Sequence, residues 1–130
     1  YATVKVIRRP IVAILPTGDE LIEPPKLLEP GKIYDSNNHS IAASVKKYGG
    51  IPKVLGIAQD NLESVNHMLD KGLNADMLIT SAGVSKGDYD MVKDVLSTRG
   101  QITFWSVRMR PAKTTSLHKN NPAWLAVNSI

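Results

Sequence analysis

Three acidic residues stand where they could do chemistry, each in a polar stretch that follows an apolar run. Glu20 closes the turn Pro16-Thr17-Gly18-Asp19-Glu20, Asp60 follows Gln59, and Asp90 ends the stretch that begins at Ser81. Carboxylates are the hard oxygen ligands that Mg²⁺ takes, usually alongside several waters. The loop Ser81-Ala82-Gly83-Val84-Ser85-Lys86-Gly87-Asp88 adds a second kind of group. Gly83 and Gly87 permit tight backbone geometry, and Ser81 and Ser85 offer hydroxyls close to a helix start. Backbone amides and the positive end of a helix favour a phosphate or another anion there. The glycine order is neither that of a P-loop nor that of a dinucleotide fingerprint. Arg108, Arg110 and Lys113 form a matching cationic group, suited to stabilising negative charge. Plainer roles exist for each: helix capping for Asp60 and Asp90, a solvated turn for Glu20, and a basic surface for the cations. His39, His67 and His118 show no metal-ligand spacing. No serine has the setting of a nucleophile elbow.

These residues need a scaffold that brings loops together, and the apolar pattern supplies one. Residues 11–15, 52–57, 77–80 and 102–107 read as strands. Between them, Asn37 or Asn38 can cap a helix running to about Tyr48, with Ile41, Ala42 and Val45 on one face and Gly49-Gly50 as its stop. Asp60 or Asn61 starts a second helix in which Leu62, Val65 and Leu69 recur at helical spacing. Residues 89–97 suggest a third, and residues 124–127 a last strand without an obvious place. Residues 23–31, with three prolines, read as surface loop. Alternating strands and helices predict a mostly parallel sheet covered on both faces. In such sheets ligands bind beyond the carboxyl ends of the strands, where all three polar stretches fall.

Bulk properties fit this picture. A chain of 130 residues is long enough for one core and too short for two ordinary domains. Residues 1–10 read as a connector or first strand, and residues 11–130 as the domain. No apolar run has the length of a membrane span, and no signal-peptide pattern appears. The absence of cysteine excludes disulfides and thiolate metal sites and agrees with a cytoplasmic location. The formal charge of +4 is spread in short clusters, which suits a small anionic substrate better than nucleic acid.

Five ordered motifs carry a specific resemblance. They are Pro16-Thr17-Gly18-Asp19-Glu20-Leu21; Pro30-Gly31-Lys32-Ile33-Tyr34-Asp35-Ser36-Asn37; Gly56-Ile57-Ala58-Gln59-Asp60; Ser81 through Asp90; and Val107-Arg108-Met109-Arg110-Pro111-Ala112-Lys113. Over residues 11–113 the chain resembles the molybdopterin-binding domain of molybdopterin molybdenumtransferases, the molybdenum insertases of molybdenum cofactor biosynthesis. That resemblance implies a three-layer α/β/α domain. It also implies binding of adenylylated molybdopterin, acceptance of molybdate, and release of AMP with Mg²⁺ assisting. By matching position, Asp60, Asp90 and Lys113 would be catalytic, and Glu20, Asp60 and Asp90 would hold Mg²⁺. Thr17, Glu20, Ser81, Gly83, Ser85 and Gly87 would contact the pterin substrate. The family implies a homodimer with sites assembled across its interface, and pathway proteins as partners. The family's usual loop has glycine and valine where this chain has Ala82 and Lys86, and its Pro-Gly-Lys-Pro becomes Pro111-Ala112-Lys113-Thr114. A molybdopterin adenylyltransferase and a pterin-binding module without turnover are the alternative readings.

Overall fold

The computed structural model describes residues 2–72, 74–81, 95, 101–106, 114–120 and 123–128, the last three stretches as backbone. The organising element is β1, Ile11–Leu15, five consecutive apolar residues of which the last four are buried. A strand apolar on both sides must be covered on both sides, so it belongs at the middle of a parallel sheet. It lies there, paired in parallel with β4 (Ile51–Val54) on one side and with β5 (Met77–Thr80) on the other. The six-stranded sheet has the order β4-β1-β5-β8-β7-β6. Here β6 is Gln101–Ser106, β7 is Thr114–Asn120 and β8 is Ala123–Asn128. The last strand anticipated from sequence is β8, and it runs parallel to β5 near the sheet centre. Strand β7, which the apolar pattern does not reveal, joins β6 and β8 by antiparallel ladders.

Two helices lie within the described residues. The first, α1 (Asn37–Lys47), half-buries Ile41 and Val45, as its spacing predicts. Lys46 and Lys47 in its last turn complement the helix dipole. Its end is a Schellman motif: Gly49 N–H donates to Lys46 O at 3.1 Å and Gly50 N–H to Val45 O at 2.9 Å. Its start differs from the sequence expectation. Neither Asn37 nor Asn38 caps it; Asp35 Oδ1 accepts the Asn38 N–H at 3.0 Å. A carboxylate just before the first turn satisfies an orphan donor and faces the positive helix end. Ala42, placed by spacing on the same face, is half-buried like Ile41, in accord with the shallow seat of this helix on the sheet.

The second helix, α2 (Leu62–Gly72), buries Val65 and Leu69 against Ala13, Leu15 and Leu78 of the sheet. Val95 packs into the same cluster. Leu62, expected on this buried face, is 54% exposed. The helix begins with that residue, and the true start signal is Asn61, whose Oδ1 accepts the Ser64 N–H at 2.8 Å. Most of the helix expected at residues 89–97 lies outside the described residues. No helix of the described residues is long and apolar enough to cross a membrane.

Residues 23–31 are exposed, as their prolines suggest. The segments that bracket them, β2 (Leu21–Ile22) and β3 (Ile33–Tyr34), pair in parallel as a separate two-stranded sheet. Two-residue strands carry too little periodicity to be read from sequence. Their pairing folds the 21–34 excursion back beside the end of β1.

Candidate functional site at the carboxyl ends of the strands

The loops after β1 and β4 are joined where both strands have ended. Gly56, at φ +88°, turns the chain out of β4 in a conformation that favours glycine. The backbone then returns to the first loop: Ala58 N–H donates to Pro16 O at 2.9 Å, and Gly18 N–H donates to Ala58 O at 3.1 Å. Thr17 and Ala58 thus form an isolated parallel bridge, and both are almost fully buried.

Beyond this bridge two aspartates meet. Asp19 Oδ1 accepts the Asp60 N–H at 3.0 Å, and Asp60 Oδ2 accepts the Asp19 N–H at 3.4 Å. Each carboxylate therefore answers the positive backbone dipole of the other's residue. Lys32 Nζ donates to Asp19 O at 2.6 Å, and Ile33 N–H donates to Glu20 O at 2.8 Å, so the β2–β3 excursion buttresses the same loop. The Glu20 carboxylate lies over Gly18; a Cβ at Gly18 would stand 2.7 Å from Glu20 Cδ. Gly18 itself has φ +145°, a conformation that side chains rarely adopt, so the backbone demands glycine there, whereas the exposed Glu20 side chain above it can move aside.

A cavity of about 680 Å³ opens beside these loops, lined by Gly18, Asp19, Lys26, Lys32, Gln59 and Met68 among others. That volume lies within the range of small-molecule and cofactor sites, roughly 300 to 1,000 Å³. The cavity's lining carries the ammonium groups of Lys26 and Lys32 beside the carboxylates of Asp19 and Glu23, a mixed set of charges that suits a polar ligand with anionic groups.

Of the residues singled out by sequence, Thr17, Glu20, Asp60 and Ser81 lie within the described residues. Thr17 is buried, Glu20 and Asp60 are exposed, and Ser81 is buried immediately after β5. Gly83, Ser85, Gly87, Asp90 and Lys113 lie outside the described residues. Among those described, no group of three or more His, Asp or Glu could hold a metal ion. Asp60 has a helix start beside it, yet the cap of α2 is Asn61, so capping does not account for Asp60.

Three residues emerge in places that sequence reading does not give them. Asp19 sits in the same turn as Glu20, and only its partner across 41 residues distinguishes it. Asp35 and Asn38 are the others. Both are more than nine-tenths buried, and Asp35 Oδ2 and Asn38 Oδ1 have no hydrogen-bond partner among the described residues. An aspartate two residues ahead of a helix is a usable signal for the cap, but nothing local signals its burial.

With this geometry in place, comparison with known proteins decides the family. The family described as "Probable molybdopterin binding domain" matches residues 13–127. The chain belongs to that family. A molybdopterin molybdenumtransferase of Nostoc sp. is 48% identical over 112 residues, covering 85% of this chain and 26% of that protein. One from Haemophilus influenzae is 38% identical over 124 residues, covering 95% of this chain and 31% of that protein. This molybdopterin-binding domain therefore spans between a quarter and a third of those relatives' length. Among solved structures, the molybdopterin biosynthesis MoeA protein of Pyrococcus horikoshii superposes with a TM-score of 0.83 at 27% identity, over 95% of this chain and 31% of that one. The tungsten cofactor synthesizing protein MoaB of Pyrococcus furiosus shares the fold, with a TM-score of 0.64 at 14% identity over 96% of this chain and 83% of that one. The α/β fold with a mostly parallel sheet is thus the one that the motifs imply.

Proposed function

We propose that the domain binds molybdopterin in its adenylylated form and serves molybdenum cofactor biosynthesis by supporting Mg²⁺-dependent molybdate insertion with release of AMP. The observation that carries this reading is the meeting of the β1 and β4 loops, clasped through Asp19 and Asp60, beside a cavity lined by Asp19, Glu23, Lys26 and Lys32, in a family described as molybdopterin-binding. The donor chemistry fits Mg²⁺: the candidate ligands Glu20, Asp60 and Asp90 are all hard carboxylate oxygens. Bound there, the cation would neutralise charge on phosphate and molybdate oxygens.

The chain's own groups do the rest. Backbone amides and the hydroxyls of Ser81 and Ser85 hold the phosphate, with Gly83 and Gly87 letting the backbone approach it. Thr17, buried just past the end of β1, is read as a contact to the pterin by its matching position. Lys113 offsets negative charge beside the phosphate, as an oriented cation does for a charge that develops in reaction. The working unit in this reading is a homodimer acting in the cytoplasm with other proteins of the pathway.

Calorimetric titration with molybdopterin and its adenylylated form, with and without Mg²⁺, tests the proposal. Binding that prefers the adenylylated ligand and tightens with Mg²⁺ is expected. Binding indifferent to both would contradict it. Lys113→Ala should weaken phosphorylated pterin by about tenfold or more while sparing an uncharged pterin. Equal loss for both ligands would remove Lys113 from the site.

A further inference from the structure

We propose that Asp19 is a positioning residue for Asp60, acting as a hydrogen-bond acceptor and not as a charge. The inference rests on the reading of Asp60 as a cation-binding acid and names what holds it in place.

The clasp between the two aspartates is asymmetric. The bond from Asp60 N–H to Asp19 Oδ1, at 3.0 Å, has ordinary length. The return bond from Asp19 N–H to Asp60 Oδ2, at 3.4 Å, is near the limit of useful length. Asp19 therefore grips the Asp60 backbone, while the Asp60 carboxylate is only loosely engaged and keeps its acceptor capacity. Asp19 is also the better anchored of the two. Lys32 holds its carbonyl at 2.6 Å, and the bonds from Gly18 to Ala58 and from Leu21 to Gly18 brace the loop on either side. The residues flanking Asp60 are instead bonded toward their own helix start, from Gln59 N–H to Ser64 Oγ at 3.1 Å and from Asn61 N–H to Gln59 O at 2.7 Å. Along this edge of the site, order passes from Lys32 through Asp19 to Asp60.

Two neighbouring carboxylates would repel each other if both faced the same point. Turning each onto a backbone N–H relieves that repulsion and separates their duties. Asp19 needs an oxygen that accepts from Asp60 N–H, which an asparagine also offers. Asp60 needs its charge, which an asparagine lacks.

The test compares Asp19→Asn, Asp19→Ala and Asp60→Asn by two measurements. The first is hydrogen exchange of the Asp60 amide by NMR, without ligand. Exchange should stay within about twofold of the parent in Asp19→Asn and accelerate at least about tenfold in Asp19→Ala. The second is the Mg²⁺ concentration for half-maximal binding of adenylylated molybdopterin. It should rise about tenfold in Asp19→Ala, in line with the loss of other groups that orient a ligand, and stay nearly unchanged in Asp19→Asn. Asp60→Asn should abolish the Mg²⁺ dependence. Unchanged amide exchange in Asp19→Ala would overturn the clasp. An effect of Asp19→Asn as severe as that of Asp60→Asn would overturn the division of roles and make Asp19 a direct ligand. Binding by the parent that ignores Mg²⁺ would defeat the functional reading alone, with the exchange result still deciding whether Asp19 positions Asp60.

Discussion

Aspartates behave oppositely at the two ends of the sheet. At the amino end Asp76 is closed off: both of its oxygens meet the Arg8 guanidinium, and Oδ2 also accepts the Ile11 N–H at 2.8 Å. Asp76 N–H returns a bond to Ile11 O at 2.9 Å, so the residue ties the start of β1 to the approach to β5. Arg9 completes the staple by donating to Gly49 O at 2.7 Å and Gly50 O at 2.9 Å. At the carboxyl end the Asp19 and Asp60 carboxylates accept from backbone N–H, whereas at the amino end the carboxylate is held in an ion pair. One end commits its carboxylate to a counter-charge and fastens the incoming chain; the other leaves carboxylates able to meet a cation. Fold and proposed site divide along the strand direction, as expected for loops beyond the carboxyl ends of a parallel sheet.

The comparison can be broken at several points. The largest structural effect is expected from Gly18→Ala at the carboxyl end. The strained backbone should cost about 1–3 kcal/mol, read by denaturant unfolding. A cost near zero would show that the backbone at position 18 relaxes out of this conformation without loss. Asp35→Ala comes next. Loss of the α1 cap should cost about 1 kcal/mol, and a gain in stability would mean that relief of the buried, unpartnered Oδ2 outweighs the cap.

The smallest and most selective effect concerns the staple. The Arg8 hydrogen bonds, with the Ile11 N–H second, hold the Asp76 carboxyl down from 3.8 to about 2. A carboxylate whose folded value is depressed binds fewer protons than in the unfolded chain. Its contribution is present above the ordinary value and is lost as pH falls from near 4 through about 2. The amide oxygen that Asp76→Asn introduces can still accept the Ile11 N–H, so the difference in melting temperature between the two proteins reads the pairing with Arg8, its charge together with the second hydrogen bond. That difference should be constant above about pH 5 and shrink toward about pH 2. Because the Arg8 side chain is 68% exposed, added salt should shrink it as well. A difference independent of pH and salt would contradict the ion-pair account.

Much of the fold is legible in the sequence because it rests on short-range patterns. The apolar run of β1, the spacing of Val65 and Leu69, and the glycines after α1 each state their element directly. What escapes depends on long-range partners. Strand β7 alternates too weakly to show, and β2 with β3 exist only through each other. Asn61, not Asp60, caps α2, a choice between adjacent residues that composition does not make. At the site, the motifs announce Thr17, Glu20, Asp60 and Ser81 as a group at the ends of the strands. They do not reveal that Asp60 meets Asp19, or that Arg8 and Asp76 form the opposite pole. Both facts join residues far apart in sequence, 41 positions for one pair and 68 for the other, which only the register of β1 with its neighbours brings together.

The most direct test of this division sets Asp60→Asn beside Asp76→Asn in one titration with adenylylated molybdopterin and Mg²⁺. The two changes remove the same charge from opposite ends of the sheet. Asp60→Asn should abolish Mg²⁺-dependent binding with the melting temperature nearly unchanged, and Asp76→Asn should lower the melting temperature with binding intact. Equal loss of binding in both, or loss only in Asp76→Asn, would contradict the placement of the site at the carboxyl ends of the strands.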